Sequence, residues 1–530
     1  MTRPGRKCSA SGPAIISLTF QPMRYSSQYA LIYLLVLFGL PIQTAAQTTF
    51  NVVQHHPSTL SYNGAVSVFE QPDGYLVFSR GWSLDSTSSG VHIVKYDLEG
   101  NFLWLKEHRR EFDVSIGYID PITEIPGNRY VASIEEFGSS IPGSSYLYWF
   151  DAEGDTIRTR FFKSDSASTE GNHGGRQLVA LPDGGFLHCG WCSDPINTGC
   201  ITRLDSSGAI LWERLYLGTK SIYFATPLSN GGFILCGARS EQLNSAVVIQ
   251  TDSSGIAQWT RYHGGHTLTA TGERALVHDT GDILVPGSYN PDPAWSAYDQ
   301  WASLYVYTTG GGLVSRRDYE FSRYSMAKFI LPKEQNHYWL MGSTFQYGVD
   351  PAGVMLLWEL DENLDPLWMR RYWYYGSQAA ESFMYSARST SDGGLVMCGM
   401  TKQGYTDSLP HMQSNWLLKL DEYGCLVPGC HTVGVQDHEL GLQQSLRISP
   451  NPANGQVQIT LHLPESYRLD GAVQAVVLDA QGREVLRQRV GTNTTELRGQ
   501  VDVAGLPAGL YFLHLRDEVR WLAGSKVVVE

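Results

Sequence analysis

The sequence predicts an all-β protein, a seven-bladed β-propeller followed by a small immunoglobulin-like β-sandwich. Three observations carry this. A turn-and-strand unit recurs seven times at intervals near 50 residues, and its strands are apolar throughout. After Cys430 the repeat stops, and a shorter series of alternating strands takes over.

Each unit opens on a turn and an apolar strand, as in PDGYLVFSRG (72–81), PDGGFLHCGW (182–191), SNGGFILCGA (229–238) and SDGGLVMCGM (391–400). A second turn follows a strand ending in Asp, as in TRLDSSGAILW and IQTDSSGIAQW. The marking positions are Asp97, Asp151, Asp205, Asp252, Thr308, Asp361 and Asp421, spaced 54, 54, 47, 56, 53 and 60 residues apart. Asp183-Gly184 and Asn230-Gly231 suit tight hairpins, whose backbone needs positive φ. In Asp-x-x-Gly the carboxylate accepts turn N–H groups and the Gly takes the left-handed position. Runs such as FILC and LVMC do not alternate, which fits strands covered on both faces by neighbouring blades. Trp104, Trp212, Trp259 and Trp368 share one repeat position and are read as packing between blades. The seventh unit ends in CLVPGC without an outer strand, so residues 50–55 are expected to pair with the strand near 415–421 and close the ring.

The chain has 52 acidic and 39 basic residues, a net charge of −13, which excludes phosphate-backbone binding as its main business. Residues 30–40 form an apolar run too short to span a bilayer; Arg24 precedes it and small residues follow. Residues 1–46 are therefore read as an export signal, with Met23 a more ordinary start than Met1. No later segment is apolar and long enough to be a transmembrane helix. Removing Cys8 with the signal leaves seven cysteines in an oxidising compartment, so at least one is free. Cys425 with Cys430, and Cys192 with Cys200, are the expected disulfides. Cys189, Cys236 and Cys398 recur at one repeat position and read as separate buried thiols.

No catalytic, cofactor or metal motif appears, and none is assigned. Cys189-x-x-Cys192 is half a zinc site without a second half. His263-Gly-Gly-His266 and EGNHGGRQ (170–177) lie in Gly-rich connections and read as solvated or strand-capping. The aromatic run Tyr372, Trp373, Tyr374, Tyr375 is the first segment to consider for ligand contact. Asp205-Ser-Ser-Gly208-x-x-x-Trp212 looks similar to the tryptophan-docking repeats of pyrroloquinoline-quinone dehydrogenases. The loop here is one residue shorter, however, and the likeness covers blade packing alone.

Residues 432–445 lack repeat features and read as a linker. Beyond them, LRISPNPANGQVQITLHLP (446–464), AVVLDAQGREVLRQRV (475–490) and VDVAGLPAGLYFLHLRD (501–517) alternate between turns, predicting about seven short strands. Three ordered motifs stand in this stretch: Pro450-Asn451-Pro452 with Gly455, then Asp479-x-x-Gly482-Arg483, then Leu506-Pro507-x-Gly509-x-Tyr511, with Lys526 near the end. With them, 446–530 closely resembles the C-terminal sorting domain of type IX secretion cargo in Gram-negative bacteria. The resemblance implies passage through the periplasm, recognition by the outer-membrane secretion machinery, and release or display at the cell surface. Gly509 is expected in a left-handed turn, and the tail is expected to be dispensable for the stability of the propeller. The propeller at 47–431 reads as a noncatalytic binding or adhesion scaffold for a glycan or surface protein. An extracellular hydrolase or lyase working in the channel is the competing class, and a convergence of carboxylate, His or Arg side chains there would favour it.

Overall fold

The repeated turn sets the architecture. In the computed structural model, Asp97, Asp151, Asp205, Asp252, Asp361 and Asp421 each accept two backbone N–H groups, two and four residues on, through one carboxylate oxygen. Thr308 does the same once, from Gly312. The left-handed fourth position is Gly in six turns and Leu364, at φ 65°, in the other. The structure describes residues 47–530 apart from 55–59, 84–88, 109–112, 118–119, 138–143, 163–172, 193–197, 240–244, 264–273, 279, 291–299, 320–323, 346–351, 376–378, 404–412, 434–436, 439–441, 443–444, 464–466, 492–495 and 519. The expected signal at 1–46 and His266 lie outside the described residues.

Among the described residues the strands before Cys430 pair antiparallel in successive groups along the chain: three separate four-stranded sheets, one five-stranded sheet, and a twelve-stranded sheet whose groups are joined by single parallel pairings. The first group comprises Leu60–Gln71, Gly74–Ser83, Ser89–Tyr96 and Phe102–His108. The seventh has only Glu381–Ser389, Leu395–Lys402 and Gln413–Leu420 from its own stretch of chain. Its fourth strand is Phe50–Gln54, with Phe50 opposite Lys419 and Gln54 opposite Asn415. The predicted pairing is therefore present over 50–54, with residue 55 outside the described residues, and the two ends of the repeat region close the ring. Trp416 Nε1 donates to Asn51 Oδ1 at 2.6 Å, and Thr49 Oγ1 to the Leu426 carbonyl at 2.5 Å.

Neighbouring groups lock at the same turns. A Cβ on Gly255 would lie 2.8 Å from Trp212, one on Gly311 2.6 Å from Trp259, and one on Gly424 2.6 Å from Trp368. Each of these tryptophans rests on the glycine of the next group. Phe50 fills that role against Gly100, 2.5 Å from the same imagined carbon. A cation stands two residues after each repeat Trp, and three of the four, passed over in the sequence, add a second contact with the next group. Arg261 Nε donates to the Gly311 carbonyl at 2.6 Å, Lys106 Nζ to that of Glu153 at 2.6 Å, and Arg370 to that of Tyr423.

The tail is two facing sheets. One orders Asp437–His438, Arg520–Val529, Gly509–Arg516, Gln474–Asp479 and Glu484–Arg489; the other Leu446–Ser449, Gln456–His462 and Glu496–Asp502. Period-2 alternation sends Ala475, Val477, Leu513 and Leu515 inward against Val457, Ile459, Leu461 and Leu497. Within 432–445, read as a linker, two pieces pack against the sandwich. Asp437–His438 pairs in parallel with Arg520 and Trp521, and Leu442 is buried in the sandwich core.

Candidate functional site

The first strand of each group faces the axis of the ring, and those of the first and seventh groups also pair in parallel with the group before them. There the structure gathers charges that no local motif announced. Asp120, only 5% exposed, accepts from Arg388 at 2.7 Å, Arg274 at 3.3 Å, Ser67 Oγ at 3.0 Å and Ser386 Oγ at 3.3 Å. These partners come from the first, fifth and seventh groups, and Asp120 from the second, so the cluster spans the channel. Burial alone would raise the Asp120 carboxyl, but the two guanidiniums outweigh it and hold it below the usual carboxylate range. Its backbone is left-handed at φ 45°, a strained setting for a non-glycine residue. The Arg388 guanidinium also lies 5.0 Å from the ring centre of Phe69. Beside this cluster, between the sixth and seventh groups, opens a cavity of about 370 Å³ walled by Tyr324, Met326, Lys328, Phe345, Phe383 and Tyr385, with Ser343 and Glu381. Glu381 is paired with Lys402 at 2.7 Å.

The aromatic run singled out in the sequence is only half available. Tyr372 and Trp373 are 1% and 7% exposed and sit in two different apolar cores. Tyr372 spends its hydroxyl on the Gly424 carbonyl at 2.5 Å. As a ligand platform these two are corrected to packing residues. Tyr372 ends the outer strand Pro366–Tyr372 under the closing loop, whereas Trp373 packs among the fifth and sixth groups. Tyr374 and Tyr375 remain half-buried and pack edge to face. Tyr374 lines a second cleft, beside Thr49 and Phe50.

The cysteines fall as expected. Cys192 is bonded to Cys200 and Cys425 to Cys430, while Cys189, Cys236 and Cys398 are buried free thiols. Asp421, Cys425 and His431 bring three ligand atoms close together, but the Cys425 sulfur is held in its disulfide and offers no thiolate. His263 is buried against Tyr305, ring centres 4.1 Å apart, and burial depresses its pKa to about 3. It is a neutral packing group at physiological pH.

In the tail, the separated motifs meet at one end of the sandwich. Asn451 Nδ2 donates to the Lys526 carbonyl, and the Val528 N–H donates to Asn451 Oδ1, both at 2.9 Å. The Gly455 carbonyl accepts from Val503 at 2.7 Å. Asp479 stands opposite Tyr511, and Gly509 opposite Val529. The Tyr511 hydroxyl donates to the Pro507 carbonyl at 2.8 Å. Asp479 accepts the Gln481 and Arg483 N–H groups and pairs with the Arg483 guanidinium, repeating the turn of the propeller units. Pro450, Asn451, Pro452, Arg483, Pro507, Gly509 and Lys526 are exposed, while Gly482 and Leu506 are half-buried. The left-handed reading of Gly509 is overturned. The positive-φ glycines here are Gly455, Gly471 and Gly482, and the chain bends earlier, where the Leu506 N–H reaches the Val503 carbonyl.

Residues 447–530 match the family described as "Secretion system C-terminal sorting domain". This tail is a type IX sorting domain. It marks the chain for export through the periplasm to the cell surface or the extracellular space. No curated protein matches the chain at a significant level. Among solved structures it is similar to puromycin hydrolase, with 12% identity over 79% of this chain and 63% of that one and a TM-score of 0.43. It is also similar to the β-propeller domain of the trilobed protease from Pyrococcus furiosus (10% identity, 68% and 94% covered, TM-score 0.37). A protein of unknown function from Bacteroides caccae gives 10% identity, 58% and 93% covered, and a TM-score of 0.34. Nothing about the activity of this chain follows from scores at that level.

The sorting domain also touches the ring. Val476, Leu478, Phe512 and Trp521, on the outer face of its larger sheet, join one apolar cluster with Cys425, Leu426, Val427 and Cys430. A Cβ on Gly429 would lie 2.4 Å from Leu478. His514, fully buried, takes the Trp521 indole N–H on Nδ1 at 2.9 Å and donates from Nε2 to the Pro428 carbonyl at 3.1 Å. Asn451 and Lys526 then wall a cleft of about 480 Å³ with Thr49, Phe50 and Tyr374.

Proposed function

We propose that this chain is an exported propeller that binds a glycan or a surface protein without turning it over, divided as signal 1–46, propeller 47–431, linker 432–445 and sorting domain 446–530. The secretion machinery of the outer membrane is its partner through the exposed motif end of the sorting domain. The observation that carries the noncatalytic reading is the state of Asp120. A general acid or base needs a carboxyl free to exchange its proton near the working pH. Asp120 is instead held ionised by two guanidiniums and hydrogen-bonded by two hydroxyls. The described channel also contributes aromatic faces, which suit stacking.

A second reading, an extracellular hydrolase or lyase, is favoured by one specific observation: a carboxylate and two arginines do converge in the channel, on a strained backbone. The test of both is a binding array and a hydrolase and lyase screen on the mature chain. Saturable glycan or protein binding without turnover supports the first. Turnover abolished by Asp120→Asn would establish the second.

A further inference from the structure

The first strands of five groups share a bulge. The pairing register slips at Val66, Arg176, Tyr223, Lys328 and Tyr385, in every case eight residues ahead of the left-handed turn residue (Gly74, Gly184, Gly231, Asn336 and Gly393). Asp120 stands eight residues ahead of left-handed Asn128, just before Ile122–Ile125, which with Asp113–Ile116 pairs against Arg129–Phe137. Arg274 lies seven residues ahead of Gly281 and bridges to Phe329 of the next group. A bulge re-aims a side chain out of the alternating pattern, and bulges are over-represented beside binding sites. Here the device recurs at one level of the channel and displays mainly cations and tyrosines.

Arg176, Arg274, Lys328 and Arg388 outnumber Asp120, Glu124 near Arg388 and Glu135 near Arg176, and the Glu381 carboxylate of the cavity is already paired with Lys402, on a chain whose net charge is −13. The Arg176 guanidinium lies 5.4 Å from the centre of the Tyr223 ring, and its Nε is buried without a hydrogen-bond partner. A buried donor left in this state is costly unless a ligand satisfies it. Lys328 and Tyr385 belong both to this level and to the cavity between the sixth and seventh groups. That cavity supplies the rings of Tyr324, Phe345 and Phe383.

We propose that the channel binds a carboxylate-bearing sugar, a uronate-type unit of an acidic glycan. Its ring lies on the aromatic wall of the cavity, and its carboxylate meets the cationic level formed by the bulges. The excess of cations and the unsatisfied Arg176 Nε favour an anion, since a local excess of one sign concentrates the opposite one. The aromatic wall favours a sugar face over an acidic peptide, because aromatic faces stack on the flat apolar side of a pyranose. The proposal rests on the binding reading above and narrows it.

The experiment is calorimetric titration of the mature chain with oligogalacturonate, a neutral cello-oligosaccharide of equal length and oligoglutamate, at two salt concentrations. Oligogalacturonate is expected to bind preferentially, and more weakly at high salt. Arg176→Met and Lys328→Met each keep an apolar stem and remove a charge. Each should weaken binding about tenfold or more, the loss of one charge-assisted contact. Arg498→Met on the sorting domain removes a cation elsewhere and should change nothing. Melting temperatures of the variants establish that they are folded. Equal affinity for the neutral sugar, preference for oligoglutamate, no binding of oligogalacturonate, or affinity unmoved by the two channel variants overturns the proposal. The first two outcomes leave the broader binding reading standing, whereas turnover of any of these compounds overturns that reading itself.

Discussion

Gly311 and Gly482 occupy the same position of the same turn and yet carry different loads. Both have positive φ, 77° and 74°, so alanine at either costs about 1 kcal/mol in backbone strain. At Gly482 a Cβ meets nothing within 4 Å, whereas at Gly311 it strikes the Trp259 indole at 2.6 Å. Gly482→Ala should therefore lose about 1 kcal/mol, and Gly311→Ala about 2–4 kcal/mol as overpacking adds to strain. Denaturant unfolding of the mature chain measures both, and equal losses would refute the docking role of the tryptophan. Asp421 makes a second contrast among equivalents. Asp97, Asp205 and Asp361 sit below the usual carboxylate range. Burial drives Asp421 up, to about 6, against the lowering effects of the Cys425 N–H, Arg370, the Tyr423 N–H and Lys419. Its folded pKa thus exceeds the unfolded value of 3.8, and between those two pH values the folded state binds more proton than the unfolded one. Stability from this group falls as pH rises through that window. Asp421→Asn keeps the acceptor and removes the ionisation. It should match the parent near pH 4 and exceed it at pH 7 by about 1–3 kcal/mol, read from unfolding curves at the two pH values.

Elements made from contiguous residues were the legible ones. The Asp-x-x-Gly turns, the two short-range disulfides and the closing strand each have a local signal or an evident missing partner. The channel cluster had neither, because Asp120 lies 154 residues from Arg274 and 268 from Arg388, and only ring closure brings them together. Tyr372 and Trp373 misled for a related reason. An aromatic run at a strand end looks exposed until the closing loop covers Tyr372 and the core of the fifth and sixth groups takes in Trp373. Likewise the turn at Pro507 is completed before Gly509, which then enters its strand in ordinary conformation. The closing strand lends itself to a direct test. Deleting residues 47–54 strips the Gln413–Leu420 edge of its partner and removes Phe50 from Gly100. An unpaired edge recruits other chains. The truncated protein should melt lower and self-associate in size-exclusion chromatography; a monomer of unchanged melting temperature would rule out the strand's closing role.

At the scale of the molecule, the sorting domain is seated on the loop that finishes the ring, and this revises the expectation that it is dispensable for propeller stability. Its removal uncovers Leu426 and Val427 and the loop bonded by Cys425 and Cys430. The seat is sensitive to acid. Burial holds His514 to a pKa of about 4, below the 6.5 of a free imidazole, although the Pro428 carbonyl works in the other direction. The unfolded chain then binds the extra proton first, so the stability His514 confers is intact above pH 6.5 and is lost as pH falls towards 4. Amide protection factors over 509–524, which set the observed exchange against the intrinsic rate at each pH, should fall from pH 7 to pH 5, and His514→Gln should flatten that dependence. Seating and sorting are nonetheless separable in the geometry. Pro450, Asn451, Pro452, Arg483, Pro507, Gly509 and Lys526 remain exposed while Leu478, Phe512 and Trp521 are covered, so the secretion machinery can reach the motif end of a seated domain. Gly429→Ala tests this. Its Cβ would lie 2.4 Å from Leu478, on a backbone at φ 88°, and the contact must loosen. That variant should show faster exchange at the seat and yet be exported like the parent, whereas deletion of 446–530 should leave the chain in the periplasm. Export lost in Gly429→Ala with the sorting domain still folded would mean that the seated arrangement itself is what the machinery recognises.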